Sequence, residues 1–305
     1  GSLSQACTVT FAPNTISNVW VVQNSAGNTV TISQGTGANV VIPNGGIRMV
    51  ATDGAGSGAA VTDVLDVLGG TGNVGLGSGA FGTGLTTGTN NVAVGEDSGD
   101  ALTAGVDNTL IGDNAGGALT DGDRNTAIGS SALLVATTPN NNTMVGANAG
   151  KAVTTGAANT GIGKDALLSL TTGASNTAVG TTTLDALTTG DYNTGLGRSA
   201  LSANTTASNN TAVGYNSLLS NTTGDNAVAV GYNAGDSITT GGQNTLIGAN
   251  SGDALTEGGL NTAIGMHSLG GDTKGSRSTA LGYSALLAQN FTTATNVYNV
   301  AVGYE

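Results

Sequence analysis

A 17-residue unit repeats from Asn91 onward for eleven consecutive steps without insertion or deletion. The unit reads Asn-Thr-Ala-Val-Gly, then two variable residues, a small residue and Leu or Gly, and later Thr-Thr-Gly. Its fixed glycines are Gly95, Gly112, Gly129, Gly146, Gly163, Gly180, Gly197, Gly214, Gly231, Gly248, Gly265 and Gly282. So strict a period predicts one small unit stacked on copies of itself, which excludes most enzyme folds.

The unit is typical of a β-strand and turns, because it is too short for a helical hairpin and its Gly and Thr disfavour helix. The residue before each fixed glycine is Val, Ile or Leu, and the one before that is Ala, Leu, Met or Gly. Adjacent strand residues point to opposite faces, so both faces of this strand are apolar and both need cover. The coil interior can cover one face, and a partner chain must cover the other. We therefore predict an all-β fold, a parallel β-solenoid or β-roll with 17-residue coils, assembled as a homotrimeric fibre.

A recurrent asparagine opens each unit and predicts a ladder of amide side chains along the turns. Ala227 and Ser278 interrupt this ladder. The last interval, from Gly282 to Gly303, is longer than all the others because the chain is enlarged near 290–294.

Residues 1–70 lack the repeat and predict a small antiparallel β module, because short β-branched runs alternate there with Gly and Asn. The run 61–68, followed by Gly69 and Gly70, is expected to join this module to a rod spanning 71–305. Within the rod, 73–77 is a degenerate first repeat, separated from the next by one position more than the period.

Composition excludes several partners. The net charge is −12 and the seven basic residues are scattered, so neither nucleic acid nor an anionic membrane surface is expected to bind. No stretch resembles a transmembrane span or signal peptide, and the single Cys7 excludes an intrachain disulfide. The start at Gly1-Ser2 and the end at Glu305, within a repeat, lead us to expect a piece of a longer protein.

The frame in 210–218 and in 125–133 resembles a repeat of bacteriophage tail-fibre proteins. It is also similar to the strand motif in the heads of trimeric autotransporter adhesins, which are homotrimeric parallel β-rolls. The run 20–32 is similar to small β modules in the fibres of marine tailed phages. The resemblance implies a homotrimer in the virion, outside the cell, attached to other tail components and to a host-surface glycan or protein. The alternative, a bacterial trimeric adhesin, would predict a heptad stalk, and the sequence has none.

Motifs for chemistry are weak, so we expect no enzyme and no cofactor. Gly77–Gly82 has GxGxxG spacing, but no helix signal follows it. His267 is the only histidine, which excludes a Ser-His-Asp arrangement within one chain. Carboxylates such as Asp97 and Asp100 leave a polysaccharide depolymerase as an alternative. Asp121-Gly122-Asp123 is a weak signal for calcium bridging.

Tyrosines provide the candidates for receptor binding. Tyr215, Tyr232 and Tyr283 directly follow fixed glycines, and Phe291 and Tyr298 lie in the enlarged last repeat. Tyr215 and Tyr232 are one period apart, so their rings are expected to stack on adjacent coils. Exposed aromatic rings suit sugar stacking or a protein receptor, and a packing ladder is the structural alternative.

The Thr-Thr pairs raise one further alternative, an ice-binding β-solenoid. Such surfaces carry Thr-x-Thr, whereas adjacent threonines face opposite ways in a strand. We therefore expect these hydroxyls to bind turn backbone instead.

Overall fold

The structure is a computed structural model that describes residues 5–13, 15, 17–42, 44, 47–56, 59, 61–67, 72–82 and 85–305. The chain divides into two compact units, residues 1–124 and 125–305. In the described residues both units consist of β-strands and turns, without an α-helix. The predicted all-β fold with 17-residue parallel coils is confirmed.

The first unit begins with six strands. They are β1 (Cys7–Thr10), β2 (Ser17–Gln23), β3 (Val30–Ser33), β4 (Val40–Ile42), β5 (Ile47–Asp53) and β6 (Val61–Val67). β2, β5 and β6 form an antiparallel sheet, and β3 pairs antiparallel with β4. The antiparallel prediction holds for these pairs, whereas β1 and β3 pair in parallel. Alternate residues of β3 and β4 point into a small core that includes Val30, Ile32, Val40 and Ile42.

The change to coils occurs at β6, which pairs antiparallel with β7 (Val74–Leu76) through Asp66 and Gly75. β7 then pairs in parallel with β8 (Val92–Val94), and β8 with β9 (Thr109–Ile111). The degenerate first repeat is thus confirmed as a coil. Residues 68–70 of the predicted joint lie outside the described residues, and a domain boundary at residue 70 stays a prediction.

The second unit is a stack of coils, each with one short strand. The strands are β10 (Thr126–Ile128), β11 (Thr143–Val145), β12 (Thr160–Ile162), β13 (Thr177–Val179), β14 (Thr194–Leu196), β15 (Thr211–Val213), β16 (Val228–Val230), β17 (Thr245–Ile247), β18 (Thr262–Ile264), β19 (Gly275–Ser276), β20 (Thr279–Leu281), β21 (Thr295–Asn296) and β22 (Val300–Val302). From β10 to β18 and on to β20, each strand pairs in parallel with the strand one period further along. β20 and β22 pair across the longer last interval, with Thr279 opposite Val300, and the enlarged turn adds the pair β19 and β21.

The fixed glycine has two physical causes, which Gly146 illustrates. Its φ is 138°, a conformation that strains any residue with a side chain. A methyl group there would also collide with the carbonyl oxygen of Gly163 in the next coil. The repeat keeps glycine because the coils touch backbone to backbone at this point.

The asparagine ladder is confirmed, and it is buried. Asn159 donates its Nδ2 to Oδ1 of Asn142 at 3.2 Å and to the carbonyl of Gly173 at 2.9 Å. Its own Oδ1 accepts the backbone and side-chain N–H groups of Asn176 at 2.9 and 3.1 Å. Ala227 breaks the ladder, and Nδ2 of the preceding Asn210 is buried without a hydrogen-bond partner among the described residues.

Candidate binding surfaces

From Gly197 to Gly303, the residues that directly follow the repeat glycines stack in register and form one exposed ladder, which we call the outer ladder. Its members from coil to coil are Arg198, Tyr215, Tyr232, Ala249, Met266, Tyr283 and Tyr304. Backbone hydrogen bonds set the register: the N–H of Asn250 donates to the carbonyl of Tyr232 at 2.8 Å, and the N–H of His267 to that of Ala249 at 3.0 Å. Each member therefore lies directly above its counterpart in the neighbouring coil.

Two pairs of rings stack on this ladder. The Tyr215 and Tyr232 centroids are 5.6 Å apart with 10° between the planes, which confirms the predicted stacking. Tyr283 and Tyr304 stack in the same way at 5.0 Å and 12°. Because the rings lie on one another, a ligand reaches mainly their edges and the outermost faces. This arrangement narrows the surface available for sugar stacking.

A charged and a polar side chain pack against rings of the outer ladder. The guanidinium of Arg198 lies 5.7 Å from the Tyr215 centroid and covers the ring face opposite Tyr232. The imidazole of His267 meets Tyr283 edge-on at 6.3 Å, so the only histidine packs against an aromatic ring. Arg198, His267 and Tyr304 were absent from the predicted site. The sequence itself places Arg198 after Gly197 and Tyr304 after Gly303, at the point of the repeat that three of the candidate tyrosines occupy.

Phe291 and Tyr298 lie in a different place, within the enlarged last repeat. The guanidinium of Arg277 packs over the Tyr298 ring at 5.7 Å from its centroid. Phe291 is half-buried, and its backbone N–H donates to Oδ1 of Asp272 at 3.0 Å. Among the described residues, neither ring stacks on any of the four tyrosines of the outer ladder. The five candidates therefore do not form one site.

Three asparagines in register flank the outer ladder: Asn216, Asn233 and Asn250. All three have positive φ, between 51° and 54°, which asparagine tolerates better than most residues. Within the described part of the chain, their side chains make no hydrogen bond with protein. Asn148, at the same point of an earlier coil, instead donates to Asp165 at 2.9 Å. The side-chain amides of Asn216, Asn233 and Asn250 thus have fewer hydrogen bonds to protein than the amide of Asn148 has.

The outward face of the strands β10–β18, β20 and β22 is a second surface, here called the strand face. The middle residue of each strand up to β20 is buried, as Ala178 and Met144 are, and the two flanking residues point outward. The first outward residue is Thr or Val and the third is Val, Ile or Leu, with no charge in any of these strands. Leu196 remains 47% exposed and Ile162 40%. The predicted second apolar face therefore exists and is open to solvent in a single chain.

Two sets of threonines behave differently. Hydroxyls of the Thr-Thr pairs bind turn backbone as predicted; Thr171, for example, donates to the carbonyl of Thr188 at 3.0 Å. The threonines of the strand face, such as Thr177 and Thr194, make no side-chain hydrogen bond within the described residues. The prediction from the sequence concerned only the Thr-Thr pairs. Period-two alternation in Thr-Ala-Val could have revealed the second.

Carboxylates on the coils accept hydrogen bonds from turns or lie near another carboxylate. Oδ1 of Asp121 accepts the Thr103 hydroxyl at 2.8 Å, and Oδ1 of Asp123 accepts the N–H of Val106 at 2.9 Å. Burial raises the pKa of Asp100, and the charge of Asp97 raises it further. The described residues contain no group of three or more His, Cys, Asp or Glu placed to hold a metal ion.

Asp236 and Asp253 lie one coil apart at the same point of the repeat. Burial raises the pKa of both carboxyls, and the charge of Asp236 raises that of Asp253 further. Depolymerases use carboxyl pairs, but a raised pKa by itself does not define such a site.

Comparison with known protein families, with curated proteins and with solved structures found no match to this chain. Among the described residues, no helix has the length and hydropathy that crossing a membrane requires.

Proposed function

We propose that this chain is part of a bacteriophage tail fibre or spike, a structural protein that attaches the virion to the host-cell surface and is not an enzyme. The strand face carries this proposal. It is uncharged from β10 to β22, and its aliphatic side chains are partly exposed in the single chain. A long apolar strip on a soluble protein marks a surface for association. The likeness of the repeat to tail-fibre sequences supports the fibre interpretation.

The partner on the strand face is proposed to be the same chain, in a homotrimer. A periodic ridge of Val, Ile and Leu side chains packs well against a surface of the same period, and a second copy of the chain has that period. Three copies around one axis would cover all three strand faces equally, because rotational symmetry places the same residues at each interface. The trimer would then present three identical outer ladders, whose weak contacts reinforce one another.

Absolute mass from light scattering behind a sizing column tests the assembly. The proposal expects about 88 kDa, three times the chain mass of 29.3 kDa. A mass near 29.3 kDa at micromolar concentration would overturn the trimer. Adsorption of the labelled protein to candidate host cells, with non-host strains for comparison, tests the attachment separately.

One observation favours a second function, ice binding. The strand face has threonine hydroxyls without partners in the described part of the chain in β10–β15, β17, β18 and β20, with Val228 in place of Thr in β16, and each lies two positions from an aliphatic side chain. Such an array would order water only if it stayed exposed, so this function requires a monomer. Thermal hysteresis in a monomeric sample would support it, and its absence would exclude it.

A further inference from the structure

The outer ladder contains one interruption, at Ala249, and this interruption leaves a notch between larger side chains. Tyr232 lies on one side and Met266 on the other, with 55% and 43% of their surface exposed. The hydrogen bonds from Asn250 to Tyr232 and from His267 to Ala249 fix this order along the stack. The alanine methyl group forms the floor of the notch.

Tyr232 presents a bare ring face to this notch. Its other face is covered by Tyr215, which is itself covered by Arg198 on the far side. Tyr215 is accordingly less exposed, at 40%, than Tyr232 at 55%. Stacking on Tyr215 also fixes the orientation of the Tyr232 ring, so little side-chain entropy is lost when a ligand packs on it.

The dimensions of the notch suit one saturated ring. Tyr232 and Met266 are two coils apart, which corresponds to about 10 Å at the spacing of β-strands. Carbon atoms in contact lie about 3.5–4.0 Å apart, so one ring between two walls requires roughly 7–8 Å and a second ring does not fit.

The polar groups at the notch are uncharged. Asn233 and Asn250 lie beside Tyr232 and Ala249, and neither side chain hydrogen-bonds to the described protein residues. No Asp, Glu, Lys or Arg occurs at the outer ladder or directly after it from Tyr215 to Met266; the one ionisable side chain there is His267, which packs edge-on against Tyr283. Oδ1 of Asn233 is buried, so the amide of Asn250 is the one left to donate to and accept from a ligand at the notch. An aromatic face with such an amide beside it matches the apolar face and the hydroxyl groups of a neutral sugar.

We propose that the notch above Ala249 binds one neutral hexopyranose unit of a surface glycan, stacked on Tyr232 and hydrogen-bonded by Asn250. This inference rests on the attachment function proposed above and gives it a ligand class. Each chain contributes one such notch, so a weak affinity per site is sufficient when three act together.

Saturation-transfer NMR with the methyl glycosides of glucose, galactose and mannose, and with N-acetylglucosamine, tests the proposal on the intact chain. At least one probe should bind with a dissociation constant on the order of 1 mM. Ala249→Tyr fills the notch and should abolish binding, whereas Tyr232→Ala should weaken it at least about tenfold. Ala147→Tyr is the matched control, because Ala147 occupies the same exposed point of another coil and should leave binding unchanged.

Two results would overturn the proposal that the notch binds a sugar. One is equal affinity of the wild type and Ala249→Tyr for the probe that binds. The other is failure of every probe to bind the wild type at up to about 20 mM, well above the expected constant. Failure of the attachment function is distinguishable: the notch would then bind sugar while the protein did not adsorb to host cells.

Discussion

Leu246 fills the space that the side chain of residue 252 would otherwise occupy. A methyl group on Gly252 would lie 2.8 Å from Cδ2 of Leu246, and Leu246 is fully buried. In the next coil the sizes are exchanged. Position 263, one period after Leu246, holds the small Ala263, and position 269, one period after Gly252, holds the large Leu269. In these two coils a large and a small residue exchange places between two inward positions, which keeps their combined volume similar.

This relation predicts non-additive mutations. Gly252→Leu alone should destabilise the protein by about 1–3 kcal/mol through overpacking. Leu246→Ala alone should cost about 2–5 kcal/mol through a cavity. The double variant restores the arrangement of Ala263 and Leu269, so its free energy of unfolding in urea should be well above the additive value. Leu246→Ala combined with Gly150→Leu, far from it, is the control and should be additive.

The asparagine ladder predicts that replacing its members by alanine costs different amounts of stability. Asn159→Ala removes the acceptor for two N–H groups of Asn176, so it should cost about 3 kcal/mol or more because these groups are buried. Asn210→Ala should cost less, since Oδ1 of Asn210 accepts one N–H group, that of Ala227, and its Nδ2 has no partner in the described residues. Chemical denaturation of both variants measures the difference. Equal costs would show that the amide chain is not a main source of stability.

The paired carboxylates predict a pH effect of defined sign. A raised pKa means that folded Asp253 binds more protons than the unfolded chain at pH values above the ordinary aspartate pKa of about 3.9. The free energy of unfolding therefore falls as the pH rises through this window. His267 opposes the shift by attracting the Asp253 carboxylate, but burial and Asp236 have larger effects.

Asp253→Asn should therefore stabilise the protein at neutral pH by about 0.5 kcal/mol, a value reduced by solvent screening. The advantage should shrink as the pH falls below about 4, where the wild-type carboxyl becomes neutral. Thermal unfolding of the wild type and of Asp253→Asn, measured from neutral pH to below about pH 4, checks this trend. A stabilisation that grows in acid would contradict it.

The strand face predicts an assembly defect without a folding defect. Leu196→Asp places a charge on the proposed interface, where an unpaired buried charge is strongly unfavourable. The mass should fall from about 88 kDa to near 29.3 kDa, while the circular dichroism stays that of a β-protein. Thr181→Asp is the control, because Thr181 follows Gly180 and is exposed outside the strand face. A trimeric Leu196→Asp variant would exclude this face as the interface.

Much of the coil could be predicted from sequence because its constraints are local and repeated. Gly146 is required by a positive φ and a close carbonyl, and each repeat restates that requirement. Asn159 and its counterparts reveal their ladder in the same way. The parallel pairing of β1 and β3 could not be predicted, since short strands separated by turns carry no mark of direction.

The candidate surfaces were predicted less completely. The stacking of Tyr215 on Tyr232 follows from the period, but the bare face of Tyr232 depends on the small residue at Ala249 one coil further. The hydroxyl of Thr171 binds a carbonyl as predicted, whereas the solvent-facing hydroxyl of Thr177 was not predicted.

The sequence alone determined the period, the strand, the turn glycines and the amide ladder, because each depends on residues that occupy the same point of neighbouring units. The tertiary structure decided which side of each strand is outside, which ring faces are covered and which polar groups keep a partner. Those properties depend on contacts between residues one or two coils apart whose identities vary. A strict repeat fixes the backbone register, and the variable side chains set upon it decide what the surface can bind.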